Sequence, residues 1–208
     1  MRTTGTHRDV ETETGEASVL ARAIAGDREA QGELLRAYYQ YIRRLLYRLV
    51  GPTPELEDLQ QTVLMRVVTA LPRLREEDSL RTFIGGICVH VARDHIRRRQ
   101  VRAVVGSLES DAEGMPLRVP HEDPTEQLEA REGLARCRRA LETLSPNHRV
   151  ALTLRILGYS VDEIAAMMGS ARSTTRLRLY YARKAFSRAY GGEPYEAEEA
   201  LDEGGDEP

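Results

Sequence analysis

The stretch Gly158–Ala185, GYSVDEIAAMMGSARSTTRLRLYYARKA, predicts two short helices joined by a tight turn. Ser160 is a candidate N-cap, and Glu163 follows three residues later, which is the spacing of a capping box. Gly169 can adopt the left-handed conformation that ends the first helix. The apolar residues of that helix share one face at helical spacing, namely Ile164, Met167 and Met168.

The second helix of this stretch is longer and basic, with Ser170 as its candidate cap. Its larger side chains recur at helical spacing, at Leu177, Tyr180, Tyr181 and Lys184. Its positive charge comes from Arg172, Arg176, Arg178 and Arg183. A short helix, a glycine turn and a longer basic helix is the order of a helix-turn-helix unit, whose second helix enters the DNA major groove. The alternative interpretation is an ordinary helical hairpin with a solvated basic face.

Charge is divided unevenly along the 208 residues, which carry a net charge of −3. Residues 189–208 contain eight Asp and Glu and no Lys or Arg, so the other 188 residues carry a net charge of +5. A mildly basic body with an acidic tail favours contact with nucleic acid plus a solvated tail.

Composition and spacing argue against several classes of protein. No apolar run approaches the ~18 residues that cross a bilayer, and the N-terminus lacks the apolar core of a signal peptide, so we expect a cytoplasmic protein without membrane insertion. Cys88 and Cys137 are expected to be reduced and buried. The cysteines and histidines match no usual metal or catalytic pattern, and no Gly-rich phosphate loop is present, so we expect no metal, no cofactor and no enzymatic activity.

The first half of the chain predicts four helices after a disordered N-terminus. They cover Ala17–Ile24, a long helix capped by Asp27 that runs to Val50, Pro54–Leu71, and a helix from Ser79 to about Arg99. Pro72 is expected to stop the third helix. Gly85-Gly86 in the middle of the fourth helix is unusual, because each Gly costs about 1 kcal/mol relative to Ala there. Close backbone approach to a partner is one explanation.

The second half predicts four more helices after a linker rich in Gly, Pro, Ser and acids. The first begins near Pro124, and Ser145-Pro146 starts the second, with Ser as N-cap and Pro at the first helical position. The stretch quoted at the start supplies the other two. We therefore predict five segments: a disordered N-terminus 1–16, a domain 17–100, a flexible linker 101–125, a domain 126–190 and an acidic tail 191–208.

Three segments together resemble one family. They are ELEDLQQTVLMRVVTAL (Glu55–Leu71), DSLRTFIGGICVHVARDHIRRR (Asp78–Arg99) and LSPNHRVALTLRILGYSVDEIAAMMGSARSTTRLRLYYARKAF (Leu144–Phe186). In this order, with a linker between the last two, the chain resembles an extracytoplasmic-function sigma factor of the sigma-70 family. The resemblance implies an all-α fold of two small domains, sigma-two-like and sigma-four-like. It also implies an initiation subunit of bacterial RNA polymerase.

The resemblance implies a role for each matching position. Contact with the clamp coiled coil of the core polymerase β′ subunit would come from Asp58, Leu59, Gln60, Gln61, Val63 and Leu64. Contact with the −10 promoter element would come from Arg75, Ser79, Arg81, Phe83, Arg93, Arg97, Arg98 and Arg99. Contact with the −35 element would come from Ser160, Arg172, Ser173, Thr174, Thr175, Arg176, Arg178, Arg183 and Lys184. The plainer interpretation of each set is a solvated polar or basic helix face.

This sequence departs from the family pattern at several positions. Gly85-Gly86 replaces an aromatic-basic pair, and Phe83 replaces a tryptophan. In the last helix, Thr175, Leu177 and Tyr181 replace Val, Ser and Arg. These changes affect the expected DNA contacts more than the expected fold.

The resemblance also implies partners: core RNA polymerase through its β′ clamp coiled coil and β flap, promoter DNA, and an anti-sigma factor. We expect a monomer when free, associated with the nucleoid through the polymerase. Two alternatives stay open. One is a helix-turn-helix regulator that acts without polymerase, which would not need the acidic helix at Glu55–Leu71. The other is a sigma-like partner-binding protein with weakened promoter melting, which Gly85-Gly86 would favour.

Overall fold

The computed structural model describes residues 19–74, 79–105 and 124–191, and within these ranges the fold is all-α, as predicted. The eight helices are α1 (residues 19–24), α2 (Arg28–Val50), α3 (Leu56–Ala70), α4 (Leu80–Val105), α5 (Pro124–Glu142), α6 (Pro146–Ile156), α7 (Val161–Met168) and α8 (Arg172–Tyr190). The predicted N-terminal segment 1–16, most of the linker and nearly all of the acidic tail lie outside the described residues. Among the described helices, none has the length and apolarity needed to span a bilayer.

Local capping chemistry sets most helix boundaries. The Asp27 carboxylate accepts hydrogen bonds from the backbone N–H groups of Glu29 and Ala30 at the start of α2. Gly51, with φ of 83°, ends that helix. Ser145 accepts a hydrogen bond from the N–H of His148 at the start of α6. These three predicted boundaries are therefore confirmed.

Other predicted boundaries are wrong. Helix α4 continues through residues assigned to the linker and ends at Val105, because no helix-breaking residue follows Arg99 until Gly106. Helix α3 ends at Ala70, and Pro72 lies in a 3₁₀ turn, Leu71–Arg73, that extends it. Helix α8 has Ala171 as its N-cap, with no side-chain cap, in place of the expected Ser170.

The N-terminal unit, α1 to α4, packs α2, α3 and α4 around one apolar core. Its most buried large side chains include Ile42, Leu46, Leu49, Val63, Val67 and Ile84. Cys88 lies in this core as a free thiol, and burial raises its pKa to about 12. It is reduced and buried as predicted. Cys137, on α5, is also a free thiol but is only half-buried, less than predicted.

The C-terminal unit, α5 to α8, is not separated from the first by solvent. A small cluster of its own holds α5, α6 and α8 together through Leu144, Leu152 and Ala182. Helices α6 and α7 pack against α2 and α4, and their inward side chains join the core of the N-terminal unit. These side chains include Val150, Leu154, Ile164 and Met167. The two units therefore share one continuous apolar core.

Candidate polymerase and nucleic-acid interfaces

The outer face of α3 presents acidic and amide side chains to solvent. Asp58 and Gln61 are exposed, and Leu64 beside them is half-buried. Met65, four residues after Gln61 and therefore on the same face, is 60% exposed. We call Asp58, Gln61 and Met65 the α3 outer surface. Met65 was not among the predicted site residues, although its helical spacing from Gln61 would have indicated it.

Three predicted polymerase-binding residues of α3 point inward. Leu59 and Val63 belong to the apolar core, at 5% and 0% exposure. Gln60 is 2% exposed, and its Nε2 donates a hydrogen bond to the Tyr39 carbonyl at 3.0 Å. Gln60 is three residues before Val63 and therefore shares its inward face. Leu59, Gln60 and Val63 therefore lie on the inner face of α3 and are not part of the α3 outer surface.

The described residues predicted for the −10 element lie at the start of α4 and in its second half. Ser79 and Arg81 are exposed at its start, where the Arg81 guanidinium lies 4.4 Å above the Tyr41 ring, and Phe83 is half-buried. Arg75 lies outside the described residues. In the second half of α4, Arg97 and Arg98 are exposed, and Arg93 and Arg99 are half-buried. At a rise of ~1.5 Å per residue, Phe83 and Arg98 are about 22 Å apart along the helix.

Helices α7 and α8 form the predicted helix-turn-helix. Ser160 and Glu163 make a complete capping box, with the Ser160 N–H donating to the Glu163 carboxylate at 2.8 Å. Gly169, with φ of 60°, ends α7 in the left-handed conformation, as predicted. The first turns of α8 then present an exposed polar and basic surface of Arg172, Ser173, Thr174 and Arg176. The N-terminal residues of a recognition helix are those that meet base edges.

One predicted −35 residue is buried in the C-terminal unit. Thr175 is 0% exposed, and its Oγ1 lies 2.9 Å from Ser170 Oγ and donates to the Ala171 carbonyl at 3.1 Å. Leu177 and Tyr181 lie on the opposite, solvent side, at 55% and 49% exposure. The buried residues of α8 are Thr175, Leu179 and Ala182.

The remaining −35 candidates have charged or polar neighbours. Arg172 Nε lies 3.3 Å from the Asp162 carboxylate, and both side chains are largely exposed, so this ion pair is weak. Arg178 is half-buried and donates to Ser170 Oγ at 3.1 Å. Burial and the nearby Arg93 guanidinium lower the pKa of Arg178. Two arginines predicted for different promoter elements therefore influence each other electrostatically. Farther along α8, Arg183 and Lys184 are half-buried.

Polar contacts between the two units were not predicted at all. Arg149, on α6, is buried, and its Nη2 donates to the Val50 carbonyl at the end of α2 over 2.8 Å. The hydroxyls of Tyr41 and Tyr159 are 3.2 Å apart, and burial is the main cause that raises the pKa of Tyr41. No local pattern carries this information, because the paired residues are about a hundred positions apart in sequence.

Comparison with known proteins agrees with this arrangement. The sigma-70 region 2 family model matches residues 34–102, and the sigma-70 region 4 family model matches residues 134–186. The ECF RNA polymerase sigma factor SigD of Mycobacterium tuberculosis is 31% identical over 173 residues, which cover 79% of this chain and 79% of SigD. The chain belongs to the extracytoplasmic-function sigma factors of the sigma-70 family. The RNA polymerase sigma-H factor of Pseudomonas aeruginosa is 26% identical over 183 residues, covering 86% of this sigma factor and 95% of that protein.

Two solved structures share the fold of this sigma factor. CnrH in complex with the cytosolic domain of CnrY matches with a TM-score of 0.55 and 21% identity over 83% of this chain and 95% of that one. RpoE in complex with the anti-sigma factor NepR from Bartonella quintana matches with a TM-score of 0.57 and 21% identity over 78% and 97%. The region 2 match spans most of α2 to α4, and the region 4 match spans most of α5 to α8. Within the described residues, no cluster of His, Cys, Asp and Glu fits a metal ion.

Proposed function

We propose that this sigma factor directs transcription initiation by binding core RNA polymerase and recognising −10 and −35 promoter elements. One observation carries the proposal: a single chain presents an exposed acidic and amide surface on α3, exposed arginines on α4 and an exposed basic first turn on α8. A DNA-binding regulator that acts alone needs the third feature but has no use for the first.

The α3 outer surface would meet the β′ clamp coiled coil of the polymerase. Asp58 supplies charge, Gln61 supplies amide hydrogen bonds, and Met65 supplies an adaptable apolar contact. Leu64 borders this surface and would contribute its exposed edge. The C-terminal unit would meet the β flap.

The two DNA contacts would differ in kind. Arg97 and Arg98 would neutralise phosphates around the −10 element, which gives affinity without sequence information. Arg172 and Arg176, in the first turns of α8, would reach base edges of the −35 element, where a bidentate Arg–guanine pair gives discrimination. Ser79 and Phe83 would lie beside the unpaired −10 bases.

An anti-sigma factor is a further proposed partner, because the related structure of RpoE holds such a protein. The sigma factor would work in the cytoplasm, at the nucleoid, without a cofactor. Sigma factors are not enzymes, and we propose no catalytic step for this one.

Run-off transcription with purified core polymerase tests the proposal. Genomic fragments upstream of candidate genes serve as templates, and core polymerase alone is the control. We expect transcripts with defined start sites only when the sigma factor is added. Binding to promoter DNA without polymerase would favour the independent regulator, and binding to core polymerase without any transcript would favour the partner-binding protein.

A further inference from the structure

Gly85 and Gly86 stand in the middle of α4, where glycine weakens a helix relative to alanine. The space that their side chains would occupy is filled by α7. A Cβ on Gly85 would lie 2.5 Å from Met167 Cε and 3.0 Å from the Tyr41 hydroxyl. A Cβ on Gly86 would lie 3.4 Å from the Met167 carbonyl oxygen and 3.7 Å from its Cα. Because backbone atoms do not yield as the end of a side chain does, α7 can approach this closely only if residue 86 is small.

The same part of α4 carries residues proposed for −10 DNA. A groove of about 310 Å³ lies between the helices, lined by Ser79, Phe83, Gly86 and His90 on one side and by Ala166 and Met167 on the other. Ser79 and Phe83 are −10 candidates, and α7 lies beside both. DNA bases stacked on this part of α4 would occupy the position of α7.

Further contacts hold the two units in this closed arrangement. The buried Arg149 guanidinium donates to the Val50 carbonyl, at the negative end of the α2 dipole. Gln100, on α4, donates to the Leu144 carbonyl at 3.0 Å. The contact between the units therefore combines apolar packing with buried and half-buried hydrogen bonds.

We propose that the N-terminal half of α4 is a docking surface for α7 of the same chain, and that α7 and −10 DNA exclude each other from it. The proposal rests on the proposed function for the identity of the second ligand. A ligand that binds only the open form shifts the population toward it.

A glycine series in the full chain tests this docking. Gly86→Leu introduces a side chain that meets the α7 backbone, whereas Gly86→Ala adds only a Cβ at ordinary contact distance. Gly133→Leu, on α5, is the matched control, because a Cβ there meets nothing within 4 Å. Small-angle X-ray scattering reports the radius of gyration. Fluorescence anisotropy reports affinity for a short fluorescein-labelled single-stranded DNA of random sequence.

We expect Gly86→Leu to increase the radius of gyration and to tighten DNA binding, while Gly86→Ala and Gly133→Leu behave as wild type. If the closed form is about 90% populated, opening raises the apparent affinity about tenfold. Circular dichroism checks that each variant keeps its helices. If Gly86→Leu does not fold, Ala166→Trp is the second variant. It places a large side chain on the α7 side of the groove, at an exposed position, and should also separate α7 from α4.

The docking is overturned if folded Gly86→Leu and Ala166→Trp both keep the wild-type radius of gyration, or if the wild type is already as extended as they are. Exclusion of DNA is overturned if the variants open with no gain in affinity. Failure of the proposed function gives a different result. If the variants open as expected but the chain never binds core polymerase, the docking of α7 on α4 stands and −10 DNA is rejected as its competitor.

Discussion

Two surfaces of the N-terminal unit are built on the same core and differ in what covers them. The α3 outer surface, with Asp58, Gln61 and Met65, faces solvent. The N-terminal half of α4, with Phe83 and Gly86, lies against α7. Under the two proposals made above, the closed chain can meet a polymerase through α3 but cannot place −10 DNA on α4. This difference suggests an order of events in which polymerase binds first and separation of the two units follows.

The largest predicted effect is that of Arg149→Met, which removes a buried hydrogen bond between the two units. It leaves the Val50 carbonyl buried without its charged donor, and a hydrogen bond to a charged group contributes ~1.5–3 kcal/mol. We expect urea unfolding to show a loss of about 2 kcal/mol in free energy of unfolding. Arg149→Lys keeps a cation at the end of α2 and should lose less. An unchanged unfolding midpoint in Arg149→Met would show that this buried contact contributes nothing.

The double variant Asp58→Ala with Gln61→Ala tests the α3 outer surface, which faces solvent. Truncation of central interface residues costs ~2 kcal/mol or more, so affinity for core polymerase should fall roughly 30-fold. Helicity should be unchanged, because both side chains are exposed. Asp94→Ala removes an exposed carboxylate from α4 and serves as the control. Equal affinity of the double variant and the wild type in a titration would remove α3 from the polymerase interface.

The parts of this fold that sequence could predict are those set by local chemistry. The caps at Asp27, Ser145 and Ser160 each follow from a side chain that satisfies backbone N–H groups within three residues. Gly169 ends α7 because it tolerates the left-handed conformation. The helix-turn-helix was predictable because its signals all lie within one short stretch.

The rest depends on contacts between distant residues. Arg149 resembles any other arginine of a basic helix until α2 is packed against it. Gly85-Gly86 was unusual in α4, and close approach of a partner was one explanation for it; the sequence could not identify α7 as that partner, because α7 comes about eighty residues later. Thr175 was predicted at the −35 surface and is buried instead. A helix with arginines on several faces has a weak amphipathic signal, so the sequence did not indicate which face of α8 turns inward.

Arg176→Ala separates base recognition from phosphate contact on the C-terminal unit. A bidentate contact to a base carries ~1–3 kcal/mol of discrimination, so we expect weaker transcription and a relaxed preference at one −35 position. Arg188→Ala, also exposed but in the last turn of α8, should leave that preference unchanged. Transcription from a library of −35 variants measures both. A uniform loss across all sequences, with a smaller salt dependence, would instead assign Arg176 to phosphate.

The smallest predicted effect concerns His95, a buried residue in the second half of α4. It is 4% exposed on α4, and its Nε2 is buried with no hydrogen-bond partner among the described residues. Burial lowers the pKa of this imidazole, and the Glu55 carboxylate only partly opposes the shift. Below its ordinary value of about 6.5 the unfolded chain therefore binds more protons than the folded one, so stability falls as pH falls.

The expected loss is at most about 1.4 kcal/mol per pH unit for this one group. Urea unfolding between about pH 7.5 and 5.5 should show a shallower acid dependence in His95→Gln than in the wild type. His90→Gln, at an exposed position on the same helix, controls for the loss of an imidazole. Because Glu55 and His95 both belong to the N-terminal unit, acid should weaken the unit that carries both surfaces and should not selectively separate α7 from α4. An acid-induced rise in radius of gyration at constant helicity would contradict this, since it would place the sensitive group at the contact between the two units.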